Sequence, residues 1–439
     1  MSVKRHISLR GHLYLFIRRC FLFRDWEKNY RLAKLKHHAL EELFLKQMLK
    51  HAREFVPYYQ GLPIKGESLE QYPLLTKAIM RERFQELTSV QQDDASTWFE
   101  NSSGGSTGKP QSFIQNASFV QWSLASLGYF FRDMRGIEYA TVPKVVFWGS
   151  ERDIFKQRES FKAKVGNWLT QTFFINSFRL SDEQMRSAVK LINRVRPVFI
   201  KGYASSLYAF ACFVRDNKVQ VYVPDFIYSS AESLRPFMRA VIEDVLGARV
   251  YDFYGSREVG AIAGECDQGN MHVFSFNNKI EIVDEQNLPV DVGEEGRVLV
   301  TNLHNTAMPL IRYEIGDRAV RGGDCSCGNP LPVMTSVSGR VTDNFLNEKS
   351  EIVHGEYFTH LFYHRPWVKE FQVLQTAIDE IQVYYVSVNE PVPDGERAEI
   401  DEKIRLVMGE GCSISWKRVD EVPRTPQGKL LFTRSLVTH

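Results

Sequence analysis

Between residues 140 and 253, short apolar runs alternate with amphipathic segments of helical length, and this alternation narrows the fold more than any other feature. Val145-Val146-Phe147-Trp148 reads as a buried strand. Ser181-Asp182-Glu183-Gln184 has the form of a capping box. It opens a helix with Met185, Val189, Ile192 and Val195 on one face, stopped by Pro197. Residues 198–200 predict a strand, 205–214 a helix, 226–228 a strand, 236–246 a helix ended by Gly247, and 249–253 another strand. Strands separated by helices need crossover connections, which belong to largely parallel sheets. The expected class is α/β.

After Gly269 the apolar period changes to two. Residues 279–283 and 297–300 flank the turn-forming Asn287-Leu288-Pro289 and predict antiparallel strands, a β-rich subdomain beside the parallel sheets. Beyond residue 340 a small α+β piece is expected, with strands at 371–374, 381–388 and 414–419 and a charged helix at 397–408. Gly339-Arg340 marks the boundary. The expected organisation is an N-terminal basic helical segment (1–55), a large domain (56–338) and a small C-terminal domain (339–439).

Residues 101–110 read Asn-Ser-Ser-Gly-Gly-Ser-Thr-Gly-Lys-Pro. Gly104, Gly105 and Gly108 permit positive φ, so successive backbone N–H groups can converge on one anion. Ser102, Ser103, Ser106 and Thr107 add hydroxyl donors, and Lys109 a cation, which suits a polyphosphate. The spacing is not that of a Walker A loop: three residues separate Gly104 from Gly108, and Pro110 stands where a magnesium-binding hydroxyl would be. A magnesium ligand must then come from elsewhere. The bland alternative is a flexible surface loop.

The net charge of +2 gives no basic excess for nucleic acid. Charge is uneven, however, because residues 1–55 carry thirteen Lys/Arg against five Asp/Glu. Residues 7–55 lack proline and repeat apolar side chains at helical spacing. They read as a helical layer packed on the main domain. The sharper alternative is a basic surface helix over 7–24, peripheral at the inner face of an anionic membrane. Liposome binding separates the two. Arg18 and Arg19 interrupt the apolar run from Leu13 to Phe23, which is also too short to span a bilayer. The six scattered cysteines fit a reducing cytoplasm.

Ligands of parallel α/β sheets bind beyond the carboxyl ends of strands, and two strand ends are equipped for this. One is Ser229-Ser230-Ala231-Glu232; the other is Tyr254-Gly255-Ser256-Arg257-Glu258, whose carboxylate could hold Mg²⁺. Arg312-Tyr313-Glu314-Ile315-Gly316-Asp317 offers a carboxylate suited to a ribose diol. Gly339-Arg340-Val341-Thr342-Asp343 and Arg424-Thr425-Pro426-Gln427-Gly428-Lys429 follow.

In this order the segments resemble the adenylate-forming superfamily, in particular its phenylacetate–coenzyme A ligase branch with the capsule-biosynthesis relatives. The resemblance covers roughly residues 50–439. Ser103 to Pro110 is similar to that family's phosphate loop, and Tyr254 to Glu258 to its Tyr-Gly-x-Thr-Glu segment, with Glu258 at the magnesium ligand. The resemblance places Ala231-Glu232 beside the adenine, Asp317 on the ribose, Arg340 in Gly-Arg-x-x-Asp, the interdomain hinge at Asp343 and the catalytic lysine at Lys429. Arg257 departs from the family, which has threonine there.

The family implies a large N-terminal domain and a small mobile lid. It also implies an ATP- and Mg²⁺-dependent ligase that forms an acyl-adenylate from a small carboxylic acid, releases pyrophosphate, and passes the acyl group to the thiol of coenzyme A. An amine on a sugar or polysaccharide precursor, or a carrier protein, is the alternative acceptor. Two rivals of other classes are a phosphate-transferring enzyme that yields ADP and a non-catalytic, zinc-stabilised nucleotide-binding scaffold. The bland reading of Lys429 is a solvated surface lysine.

Cys266, His272, Cys325 and Cys327 form a second constellation. Four soft donors in two clusters suit tetrahedral, structural Zn²⁺, although their spacing is not that of a zinc finger. Some relatives in the same branch carry a comparable site. The alternative is unrelated thiols and a free histidine.

Overall fold

A capping box, a proline and a glycine set the limits of the helices in the α/β block. The computed structural model describes residues 10–11, 13–14, 16–17, 25–64, 66, 68–91, 95–102, 111–149, 161–177, 179–338, 345–353, 355–362, 365, 367–387, 392–423 and 431–437. The helix Asp182–Val195 begins where Ser181 Oγ accepts from the Gln184 N–H (3.3 Å) and Gln184 Oε1 accepts from the Ser181 N–H (3.1 Å). It stops at Arg196, held in the left-handed region just before Pro197. Pro236 starts the helix Pro236–Leu246 and Gly247, at φ 68°, ends it. Replacing Ser181 by alanine removes one half of the capping box. The expected cost is about 1 kcal/mol, read as a lower denaturant midpoint at unchanged slope.

The chain divides into two compact units, one built from 1–103, 111–142 and 251–339, the other from 104–110, 143–250 and 340–439. In the second, four parallel strands run in the order Thr172–Asn176, Lys144–Trp148, Phe199–Gly202, Phe226–Ser230. Val145, Phe147, Ile200 and Ile227 point from one face into a core closed by the helices Asp182–Val195, Ala204–Asp216 and Pro236–Leu246. Full burial of Ile192 or Ile200 is worth about 1.5–3 kcal/mol each. The C-terminal part of this unit is the expected α+β piece. Val368–Ala377 and Glu380–Ser387 pair antiparallel, while Ser413–Arg418 and Thr433–Ser435 join parallel at the two edges. The helices Gly355–Phe362 and Asp394–Met408 complete it.

In the first unit the strands follow the order Asn278–Val283, Glu295–Asn302, Tyr313–Arg321, Val333–Ser338, Met271–Val273, Gly260–Glu265, Val250–Ser256, all paired antiparallel. The period of two after Gly269 is thus realised, since residues 279–283 and 297–300 are direct neighbours. The strand expected at 249–253 runs on to Ser256 and turns back antiparallel at Gly260. The helix Trp26–Phe55 turns Trp26, Ala33, Leu40, Met48, Leu49 and Ala52 inward. Phe44 meets Trp122 of the helix Ala117–Tyr129 edge-on, with 5.0 Å between centroids. Lys279 pairs with Glu41 at 2.5 Å. This half of the N-terminal segment is a protein-facing layer. In the stretch 7–24, Leu13 and Phe16 are exposed. Among the described residues no helix is long and apolar enough to cross a membrane.

Candidate active site and metal centre

The residues expected to form the phosphate loop, Ser103, Gly104, Gly105, Ser106, Thr107, Gly108 and Lys109, lie outside the described residues, as do Arg340, Asp343 and Lys429. The base of that loop is described. Phe99–Ser102 and Ser112–Gln115 pair antiparallel, with Ser102 opposite Ser112, so residues 103–111 connect the two strands of a hairpin. Asn101 Nδ2 donates to Gln115 Oε1 at 3.1 Å, and Gln115 Nε2 donates to the Arg257 carbonyl at 2.7 Å. Arg257 Nη1 donates in turn to the Ser102 carbonyl at 3.2 Å. Arg257 therefore fastens the hairpin end to the turn that carries Glu258.

That turn is tight for identifiable reasons. A Cβ on Gly255 would sit 2.8 Å from the Gly260 carbonyl, and Gly260 itself has φ +72°. Three buried asparagines grip the backbone just after Glu258. Asn278 Nδ2 donates to the Val259 and Ala261 carbonyls (3.2 and 2.8 Å), Asn277 Nδ2 to Ala261 (2.9 Å) and Asn302 Nδ2 to Val259 (3.3 Å). Ser256 Oγ accepts from the Val259 N–H, so this hydroxyl helps to build the turn.

Glu258 is buried, and the Tyr313 hydroxyl donates to its Oε1 at 3.4 Å. Among the described residues no cation pairs with it. Among the described residues its side chain accepts this one long neutral hydrogen bond, and such a carboxylate suits a divalent cation. The Tyr254 hydroxyl donates to Asp317 Oδ2 at 2.8 Å. Tyr313 and Asp317 share the strand Tyr313–Arg321, so Tyr254, Glu258 and Asp317 are linked through two phenols. Neither Tyr313 nor the asparagines stood out in the sequence. Their partners lie 16 to 55 residues away along the chain, beyond the reach of a spacing rule.

In the other unit, Ala231 follows the strand Phe226–Ser230 with φ +72°, exposed. Glu232 Oε2 accepts from the Ser205 N–H at 2.9 Å and from Ser205 Oγ at 2.6 Å. It caps the positive end of the helix Ala204–Asp216.

Cys266, His272, Cys325 and Cys327 converge, with all four ligand atoms within 4.8 Å of one another. Cys266 follows the strand Gly260–Glu265, His272 lies on Met271–Val273, and the Cys-Ser-Cys turn precedes Val333–Ser338, so three neighbouring strands supply the donors. The Cys266 and Cys325 sulfurs are 3.7 Å apart; Zn–S bonds of about 2.3 Å need a tetrahedral edge of about 3.8 Å. His272 Nδ1 lies 3.0 Å from the Leu331 carbonyl. A proton held there leaves the Nε2 lone pair facing Cys327 Sγ at 3.2 Å. The Gln268 N–H, the Asn329 N–H and Asn270 Nδ2 donate to the sulfurs of Cys266, Cys327 and Cys325 respectively. Burial opposes ionisation of Cys325, yet the Cys327 N–H and the Asn270 amide draw its pKa down to about 6. Burial and the neighbouring thiols push Cys327 up to about 11. This donor set fits zinc.

Residues 345–435 match the CapK C-terminal domain family. The protein CapK of Staphylococcus aureus is 24% identical over 97% of this chain and 95% of its own length. A phenylacetate–coenzyme A ligase of Thermus thermophilus is 25% identical over 71% of this chain and 72% of its own. Among solved structures, 2-hydroxyisobutyryl-CoA ligase in complex with 2-HIB-AMP and CoA superposes with a TM-score of 0.61 at 19% identity, covering 91% of this chain and 90% of that one. At such identity the likeness shows the fold.

Proposed function

We propose that this chain, a homologue of CapK and of the phenylacetate–coenzyme A ligases within the adenylate-forming superfamily, activates a carboxylic acid with ATP. A carboxylate oxygen attacks the α-phosphorus, the bond to the bridging oxygen breaks, and pyrophosphate leaves with that electron pair. The acyl-adenylate then yields its acyl group to the thiol of coenzyme A, releasing AMP. The observation that carries this reading is the pair of carboxylates, Glu258 and Asp317, oriented by Tyr313 and Tyr254 in the unit that holds the base of the glycine-rich hairpin.

Each residue has a stated task. Ser103 to Lys109 would hold the phosphates that become pyrophosphate, and Asp317 the ribose diol. Ala231 and Glu232 would border the adenine, with Glu232 also fixing the helix it caps. Glu258 would hold Mg²⁺, which supplies charge neutralisation between phosphates when bound. Lys429 would balance the charge that two approaching anions create, and Arg340 would lie at the start of a C-terminal lid over 339–439 that keeps water from the anhydride. Cys266, His272, Cys325 and Cys327 would hold a structural Zn²⁺ that staples three strand ends.

Nucleotide products decide the reaction class. Incubation with Mg-ATP and a panel of acids is expected to give AMP and pyrophosphate; ADP would favour phosphate transfer. Glu258→Gln keeps the shape and removes the charge. Acid-dependent turnover is expected to fall about 10²-fold, with partial recovery at raised magnesium. Equal activity at every magnesium level would remove Glu258 from the metal site. Transfer to an amine on a sugar precursor, or to a carrier protein, is the second reading.

A further inference from the structure

Lys201 is the last side chain before Gly202 on the strand Phe199–Gly202, in the middle of the parallel block. In register it lies beside Val146 and Tyr228 on the two flanking strands. Its ammonium stands 4.9 Å from the Trp148 ring centroid and 5.0 Å from that of Tyr228. Tyr203 stacks on Trp148 at 4.4 Å, extending the aromatic wall. Below them Phe199 and Phe226 stack at 5.2 Å. A cation thus sits in an aromatic cradle at the carboxyl end of parallel strands, where ligands of α/β sheets bind. Among the described residues no carboxylate pairs with it. Burial alone pulls its pKa down to about 8, so the group is still mostly protonated at neutral pH. Lys201 and Trp148 are each only partly buried as residues.

A strand of this kind gains nothing in stability from a desolvated ammonium held on rings, since an aliphatic side chain would pack at no such cost. The cost is offset when an anion arrives. That anion is not the carboxylate being activated. Its charge passes to the phosphoryl oxygens on attack, and a cation fixed on the carboxylate alone, unlike one shared with the α-phosphate as proposed for Lys429, would stabilise the ground state and raise the barrier. Lys201 needs a group that stays negative through both half-reactions.

We propose that Lys201, cradled by Trp148, Tyr203 and Tyr228, binds a second anionic group on the acid substrate, so that the enzyme selects acids bearing a further carboxylate. The inference rests on the reading of the chain as an acid-activating ligase, and it deepens that reading by naming the substrate class. The aromatic wall would cover the apolar spacer between the two carboxylates.

The test compares matched acids, glutarate against butyrate and homophthalate against phenylacetate, in pyrophosphate exchange by the whole protein and by Lys201→Met. At least one diacid is expected to exceed its monoacid partner in kcat/KM, and this ratio is expected to fall about a hundredfold in Lys201→Met. Lys201→Arg, which keeps the charge, should restore part of it, provided that both variants retain the wild-type circular dichroism. A wild-type preference for monoacids, or a ratio unchanged in Lys201→Met, overturns the inference while the ligase reading stands. If no acid supports exchange, the ligase reading fails instead. Calorimetric titration with glutarate and homophthalate then decides the site by itself: heat with wild type and none with Lys201→Met upholds it, and no heat with either protein overturns it.

Discussion

Lys429→Ala is expected to lower acid-dependent adenylate formation by about 10²–10³-fold, with ATP still bound. The reason is electrostatic. A carboxylate must approach an α-phosphate that is itself anionic, and the transition state spreads added charge over the phosphoryl oxygens. Glu258 with its metal would act on the pyrophosphate side, so a separate cation is needed where the acid enters. Lys429→Arg is the informative companion. It keeps the charge but replaces a compact ammonium by a planar fork, so recovery should be partial. The readout is the initial rate of acyl-adenylate formation, followed as pyrophosphate release at saturating ATP. Rates within twofold of wild type for Lys429→Ala would return this residue to the solvated surface and revive a non-catalytic role for the chain.

The second large effect concerns stability. Cys325→Ser removes one donor of four and leaves two thiols and an imidazole facing each other. Metal analysis of the wild-type protein is expected to find about one zinc per chain, and the variant to lose it. A metal present at about a thousand times its dissociation constant stabilises the folded state by on the order of 4 kcal/mol, so melting should fall correspondingly. A chelator should shift the wild type and leave the variant unmoved. Cys212, which touches none of the four donors, serves as the control: Cys212→Ser should keep its zinc. Wild-type protein that carries no zinc as purified, or that melts at the same temperature with and without chelator, would remove the metal from the account.

Much of the fold was legible because its signals are local. Ser181 and Gln184 bracket one helix start, Pro236 and Gly247 bound another helix, and the change of period after Gly269 marks the antiparallel strands. Other elements carry weak local signals. The hairpin beneath the glycine-rich loop has strands of four residues each, Phe99–Ser102 and Ser112–Gln115, too short for a readable alternation. Gly260–Glu265, rich in Gly and Ala, has little strand propensity and forms through its neighbours.

The candidate site divides in the same way. Glu258, Asp317 and the four candidate metal ligands were visible as residue types in or beside strands. What orients them was not. Tyr313 reaches Glu258 across 55 residues of sequence, and Asn302 reaches Val259 across 43. Arg257 stands where the resembling family has threonine, and its donation to the Ser102 carbonyl is a contact that no spacing rule announces. Lys201 was hidden because a lysine that ends an apolar strand usually reaches solvent. Only the register of Phe199–Gly202 against its neighbours brings two rings to it.

The central claim is that an organic acid is joined to the innermost phosphorus of ATP. Exchange of labelled pyrophosphate into ATP tests it without knowledge of the acceptor. The expected result is exchange that needs both magnesium and an acid from the panel, and that collapses in Glu258→Gln and Lys429→Ala. Label that enters ATP at the same rate without any acid, or ATP consumed to ADP with no exchange, would contradict it.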